Sequence, residues 1–283
     1  YSETANDGSP LHLARETSSP GYNWRYLPSG TGNTMKHSQR LNFSGEVRQW
    51  VINTDNTVST TGFYTVNTLL GIEGEDENRN LPTGGRKTIT FTDISGRTIL
   101  KKETLSATQE LLTYYVYDDF GNLRFIVPPK AAATIPASGT WNSSSCQSAG
   151  NDLVFWNRYD DKQRIIQKKV PGKEAEYFVY DKLNRVVMRQ DGNLRTAGKW
   201  YCYKYDVFGR VIQEAIVSDN QPQAEIQNFI DASPAPSHEE RCTETVDLPL
   251  GYTDQSYPGL IVQGSSQSVV KVFYYDEYPS FVT

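Results

Sequence analysis

Hydrophobic and polar residues alternate along short stretches of this chain and do not recur at helical spacing. Residues 122–127 and 210–216 show the period of two that a half-buried strand requires. The same texture flanks a recurring turn. Tyr114, Tyr115 and Val116 precede Asp118, and Leu123, Phe125 and Val127 follow it. Val186, Val187 and Met188, and later Val211 and Ile212, hold the matching place in other units. Pro128-Pro129 closes the strand containing Phe125, because proline cannot donate to a ladder. The pattern predicts paired strands of about 5–8 residues, near the usual strand length. One segment, Gln223 to Ile230, has a helical pattern and predicts one or two turns.

The turns form an internal repeat. Tyr117-Asp118-Asp119-Phe120-Gly121-Asn122-Leu123 is echoed by Tyr205-Asp206-Val207-Phe208-Gly209-Arg210-Val211. Tyr180-Asp181-Lys182-Leu183-Asn184-Arg185-Val186 has Asn in place of Gly, and Tyr159-Asp160-Asp161-Lys162-Gln163-Arg164-Ile165 has Gln. Asp93-Ile94-Ser95-Gly96-Arg97 is a looser copy, Asn42 to Val47 looser still, and Tyr275-Asp276 opens a further unit. The aspartates at 93, 118, 160, 181, 206 and 276 are separated by 25, 42, 21, 25 and 70 residues. Spacings of 21–25 read as single units, and the longer ones as units carrying insertions. The insertions fall at about 130–150 and 219–259, which are rich in Ala, Ser, Pro and Gly, as surface loops are.

Asp at the head of a type I turn accepts hydrogen bonds from the backbone ahead of it. Glycine three residues later supplies the left-handed conformation that closes a hairpin with a bulge. Asn184 takes that conformation readily, whereas Gln163 takes it at greater cost. The structural turn residues are therefore Asp93 and Gly96, Asp118 and Gly121, Asp160, Asp181 and Asn184, and Asp206 and Gly209. Tyr117, Tyr159, Tyr180 and Tyr205 each stand immediately before a turn aspartate. A lone hairpin cannot bury its face, so successive units pair edge to edge. The expectation is an all-β fold with little helix: a long curved antiparallel sheet of successive hairpins. Residues 1–90 form a β-rich region leading into a repeat array at 91–283. Unpaired edge strands at both ends suit a segment of a longer array.

Composition sharpens this reading. The chain has 18 Tyr against 2 Met, with 37% of residues apolar in all. Aromatics fit a pleated surface better than a helical bundle. With 28 Lys and Arg against 33 Asp and Glu the net charge is −5, which disfavours nucleic acid as a partner. No apolar run approaches the ~18–20 residues of a membrane span. No signal-peptide pattern stands at Tyr1. Cys146, Cys202 and Cys242 are an odd number without a CxxC pair, so no zinc site or disulfide framework is indicated; one disulfide is compatible, with its pair undetermined.

Candidate chemistry is sparse. His12, His37 and His238 lack metal-ligand spacing, and no dinucleotide or phosphate-loop motif occurs, so no metal, cofactor or catalytic residue is expected. The neighbours Asp118-Asp119 and Asp160-Asp161 belong to turns and do not read as a glycosidase pair, which needs two carboxylates facing across a cleft. The acidic run Glu73 to Asn78 reads as a solvated loop. Trp141, Tyr252 and Tyr257, all in insertions, are the candidates for an exposed carbohydrate platform, since flat rings with polar edges suit sugars.

The ordered segments YYVYDDFGNLRFIVPP, YFVYDKLNRVVMRQDGNLR and KWYCYKYDVFGRVI resemble those of bacterial RHS (rearrangement hotspot) or YD-repeat proteins. The opening YSETANDGSPLHL, the GEVRQW segment and the terminal KVFYYDEY resemble the region that enters the array in such proteins. The resemblance implies a continuous β-sheet spiralling into a hollow shell around a C-terminal toxin or other cargo, in a secreted or surface protein. Its partners would be the remainder of the parent polypeptide and the cargo, with cell-surface glycans in the alternative adhesive role. The family's self-cleaving core region has no counterpart here, so only a non-enzymatic scaffold role carries over.

Overall fold

The structure, a computed structural model, describes residues 2–80, 85–106, 108–136, 141–142, 153–242, 251–260 and 268–275. The chain divides into two compact units, residues 1–156 and 157–283. Both are antiparallel β-sheet with little helix, the all-β architecture that the alternation predicts.

The first unit contains β1 (Thr4–Asn6), β2 (Ala14–Thr17), β3 (Met35–Leu41), β4 (Arg48–Ile52), β5 (Val58–Phe63), β6 (Leu70–Glu75), β7 (Lys87–Thr92), β8 (Thr98–Ser106), β9 (Gln109–Tyr117), β10 (Leu123–Val127), the short helix α1 (Pro129–Ala132) and β11 (Trp141–Asn142). Its main sheet runs β1-β2-β3-β6-β7-β8-β9-β10, and β12 (Phe155–Tyr159) joins β10 through Phe155 and Trp156. The β4–β5 hairpin leaves this sheet and forms a three-stranded one with β11, which pairs Trp141 with Thr60 and Asn142 with Ser59. Part of the 130–150 insertion is therefore strand and helix, where a loop was expected.

The core of this unit collects alternate residues of β7 to β10, namely Ile89, Phe91, Leu100, Tyr114, Val116, Phe125 and Val127, with Val47 and Val58 from beside and within the β4–β5 hairpin. Burying each large apolar side chain contributes about 1.5–3 kcal/mol. Phe91 is accommodated because its cross-strand partner is Gly71: a Cβ there would stand 2.8 Å from the Phe91 ring. The acidic run is also more ordered than a solvated loop. Glu73 and Glu75 lie on β6, and Glu73 bonds Arg40 at 2.6 Å and Lys87 at 3.1 Å, because the flanking strands β3 and β7 present those cations.

The second unit continues with β13 (Ile165–Lys169), β14 (Glu176–Tyr180), β15 (Val186–Gln190), helix α2 (Gly192–Thr196), β16 (Lys199–Tyr205), β17 (Val211–Ser218), helix α3 (Gln223–Ala232) and β18 (Ser268–Val272). Its strands run in chain order from β13 to β18. Helix α2, which alternation does not announce, is capped by Asp191, whose carboxylate accepts from the Leu194 N–H at 2.9 Å. Helix α3 is ten residues long, longer than the one or two turns expected. Ile226 and Ile230, one turn apart, bury against Val179, Met188, Trp200, Cys202, Ala215 and Val217, and that tertiary contact extends the helix. Cys202 and Cys242 carry free thiols, and Cys146 lies outside the described residues.

Candidate functional site

The YD turns are built alike. At Asp181 the backbone N–H donates to the Arg185 carbonyl at 2.9 Å, and the Asn184 N–H donates back to the Asp181 carbonyl at 3.1 Å. One carboxylate oxygen accepts from the Leu183 and Arg185 N–H groups at 2.9 and 2.8 Å, and the other accepts from Arg185 Nε at 2.7 Å. Asp93 binds the Ser95 and Arg97 N–H groups and Arg97 Nε in the same way, at 2.9, 2.9 and 2.8 Å. Asp160 repeats it with Lys162 and Arg164, and Asp206 accepts from the Arg210 N–H and Nε at 2.8 and 2.6 Å. Asp118 departs from the pattern, because Asn122 stands in the arginine position and donates through its amide at 3.2 Å.

The closing residue is left-handed at every one of these turns: Gly96 at φ 76°, Gly121 at 83°, Gly209 at 79°, Asn184 at 63° and Gln163 at 60°. Burial works to raise the carboxyls of Asp93, Asp160 and Asp206. Hydrogen bonds from the backbone and guanidinium outweigh it and hold all three below the usual carboxylate range.

The arginine of one turn also reaches the tyrosine of the next repeat. Arg97 lies over the Tyr117 ring at 5.2 Å, Arg164 over Tyr180 at 4.5 Å, Arg185 over Tyr205 at 4.3 Å and Arg210 over Tyr275 at 4.2 Å. Such stacking contributes about 0.5–2 kcal/mol at each place. The phenols answer with a hydrogen bond back. Tyr180 Oη donates to the Ile165 carbonyl at 2.7 Å, Tyr205 to Val186 at 2.6 Å and Tyr275 to Val211 at 2.7 Å. In each case the acceptor is the residue directly after the stacked arginine. Burial pushes the Tyr205 phenol up to about 12, against the pull of Arg185, so it remains a neutral donor at physiological pH.

These bonds replace a ladder that stops short. Between β13 and β14 strand pairing covers only Gln167 with Tyr177 and Lys168 with Glu176. Beyond it the strands splay toward their turns, and side chains fill the gap. Gln223 Nε2 of α3 donates to both the Ile166 and Phe178 carbonyls at 2.7 Å. Gln227 takes the Tyr180 N–H and gives to its carbonyl, both at 2.9 Å.

The aromatic candidates sit differently from a sugar platform. Tyr252 is only 6% exposed, its hydroxyl donates to the Phe273 carbonyl at 2.8 Å, and its ring stacks on Tyr274. Tyr257 packs against the core of the second unit and Phe229, and its hydroxyl meets Asp219 at 3.1 Å. The backbone of Trp141 lies on β11, and its side chain falls outside the described residues. Among the catalytic alternatives, Asp118 is tied into its turn while its neighbour Asp119 is exposed. Tyr159 ends β12, directly before the Asp160 turn.

No family model matches the sequence, and no curated protein matches it. Among solved structures the chain is similar to TcdB2-TccC3, with a TM-score of 0.41, 15% identity, and coverage of 75% of this chain and 10% of that one. It is similar also to TcdB2-TccC3-Cdc42, at a TM-score of 0.42 and 15% identity over 78% of this chain and 11% of that one. A Photorhabdus luminescens Tc holotoxin pore matches at 0.41 and 15% over 77% and 10%. The chain thus spans about a tenth of the chains it matches. Its YD repeat and its antiparallel sheet of successive hairpins are the features on which the sequence resemblance rests. What alternation alone did not single out is the arginine that follows the closing residue of most turns. The signal was present as an Asp and Arg four residues apart in four of the five turns.

Proposed function

We propose that the chain is a non-catalytic scaffold: a segment of an RHS-like β-sheet wall in a larger secreted or surface polypeptide, enclosing or presenting a C-terminal toxin or other cargo. In this reading residues 1–90 lead into the array and 91–283 form it. The observation that carries the proposal is how the repeat uses its charges. At Asp93, Asp160 and Asp181 both carboxylate oxygens are taken by the turn and its arginine, and that arginine lies against the ring of the following repeat. Side chains committed in this way join hairpins into a wall and are not aimed at a ligand.

A further observation supports the reading. The turn tips are apolar and exposed: Ile94 and Phe120 in the first unit, Leu183, Val207 and Phe208 in the second. In the proposed wall these tips are where other parts of the parent polypeptide would meet it. Among the described residues no helix is long and apolar enough to cross a membrane. Tyr252 and Tyr257, engaged in internal packing, give the carbohydrate-binding alternative no platform.

Limited proteolysis of the intact parent polypeptide tests the proposal. The part that follows the array should resist cleavage in the native protein and become cleavable when Arg164, Arg185 and Arg210 are all replaced by Ala. Equal cleavage in both proteins overturns enclosure.

A further inference from the structure

Strand β16 points Trp200, Cys202 and Lys204 inward on alternate positions, so a cation occupies a place where the pattern calls for an apolar side chain. Lys204 is 1% exposed. Its Nζ lies 2.7 Å from Asp254 Oδ1, 2.8 Å from Glu239 Oε1 and 2.6 Å from the Ser256 carbonyl oxygen. The Glu239 side chain is wholly buried and that of Asp254 nearly so. An amine and two carboxylates are thus held together in a buried site.

Glu239 does not need the lysine to satisfy its charge. It accepts from Thr253 Oγ1, the Gln255 N–H and the Ser256 N–H, each at 2.8 Å, and from Ser256 Oγ at 2.5 Å. Asp254 Oδ1 additionally accepts from the Leu260 N–H at 2.8 Å, a donor placed to stabilise negative charge developing on that oxygen. Lys204 therefore faces two carboxylates, and Asp254 Oδ1 is the carboxylate oxygen nearest its Nζ. The amine sits within one further C–O bond length of the Asp254 carboxyl carbon, close to the reach of a near-attack geometry.

We propose that Lys204 and Asp254 condense to an intramolecular isopeptide bond, with Glu239 carrying the proton. One proton passes from the ammonium, by way of Glu239, to Oδ2 of Asp254, leaving a neutral amine and a neutral acid. The Nζ lone pair then attacks the carboxyl carbon, forming the C–N bond, while Oδ1 takes up negative charge beside the Leu260 N–H. Glu239 removes a proton from the nitrogen and delivers it to the Oδ2 hydroxyl. The C–Oδ2 bond breaks and water leaves. One ammonium and one carboxylate become one amide and one water, with no oxidant, reductant or co-reactant. The amide N–H formed has the Ser256 carbonyl as its acceptor. The bond would fasten the 219–259 insertion covalently to β16, whatever the larger polypeptide does.

Intact mass under denaturing conditions, with peptide mapping of the 283-residue chain, tests the proposal. The native chain should be lighter than its sequence by one water, and a protease digest should contain a branched peptide joining the Lys204 and Asp254 segments. Lys204→Met, Asp254→Ala and Glu239→Gln should each show the full sequence mass. A native chain at full mass overturns the bond without any variant having to fold. A water loss that persists in Lys204→Met overturns it as well, since the dehydration then lies elsewhere. Cross-linking retained in Glu239→Gln overturns the role given to Glu239.

Discussion

A YD turn rests on an aspartate, a left-handed closing residue, an arginine and the tyrosine of the next repeat. The closing positions can be tested separately from packing. A Cβ added at Gly96 meets nothing within 4 Å, so Gly96→Ala should cost about 1 kcal/mol through its positive φ alone. The converse change, Gln163→Gly, should stabilise by about 0.5–1 kcal/mol, because Gln163 already holds φ 60°. Urea midpoints at constant slope read both. The aspartates predict a pH dependence of definite sign. Asp93, Asp160 and Asp206 are held below their ordinary values in the fold, so their contribution is complete above about pH 4 and is lost as pH falls through the folded values. The urea midpoint should therefore drop as pH falls below about 4, and less steeply in Asp160→Asn. Aspartate and closing residue were legible in the sequence because their hydrogen bonds span only four residues. The stacking partner of each arginine was not, because it lies one repeat away.

At the scale of elements, the joints between hairpins are closed by side chains where backbone pairing stops. Arg185 illustrates this: it holds the buried Asp181, lies over Tyr205 and donates to the Ser237 carbonyl. Arg185→Lys keeps the charge but loses the planar fork, and should destabilise by about 1–2 kcal/mol in a denaturant titration. Helix α3 plays the same part for β14. In Gln227→Leu the Tyr180 N–H and carbonyl lose their partner, so stability should fall by about 1–3 kcal/mol and the Tyr180 amide should exchange faster with deuterium. The sequence pattern found this helix but stopped it early, since Ile226 and Ile230 pay off as helix formers only against the sheet core that the chain pattern does not display. Helix α2 and strand β11 went unannounced for a related reason. One depends on a single cap and the other on pairing with a strand far along the chain.

At the scale of the whole molecule, the turn tips take little part in folding. Phe120 and Phe208 are each 79% exposed, so Phe120→Ser and Phe208→Ser should leave the unfolding free energy within about 0.5 kcal/mol of the native value in a urea titration. The sequence by itself determined the all-β class, the repeat and the turn chemistry, because alternation and four-residue hydrogen-bonding patterns are local. Only the tertiary structure decided which distant groups meet. Tyr275 bonds Val211 across 64 residues, completing the series begun by Tyr180 and Tyr205, and Tyr252 is buried where the insertion suggested exposure. Lys204 finds Glu239 and Asp254 in the same way. Strand pairing brings these residues together, and the length of an intervening insertion carries no record of where its ends will dock.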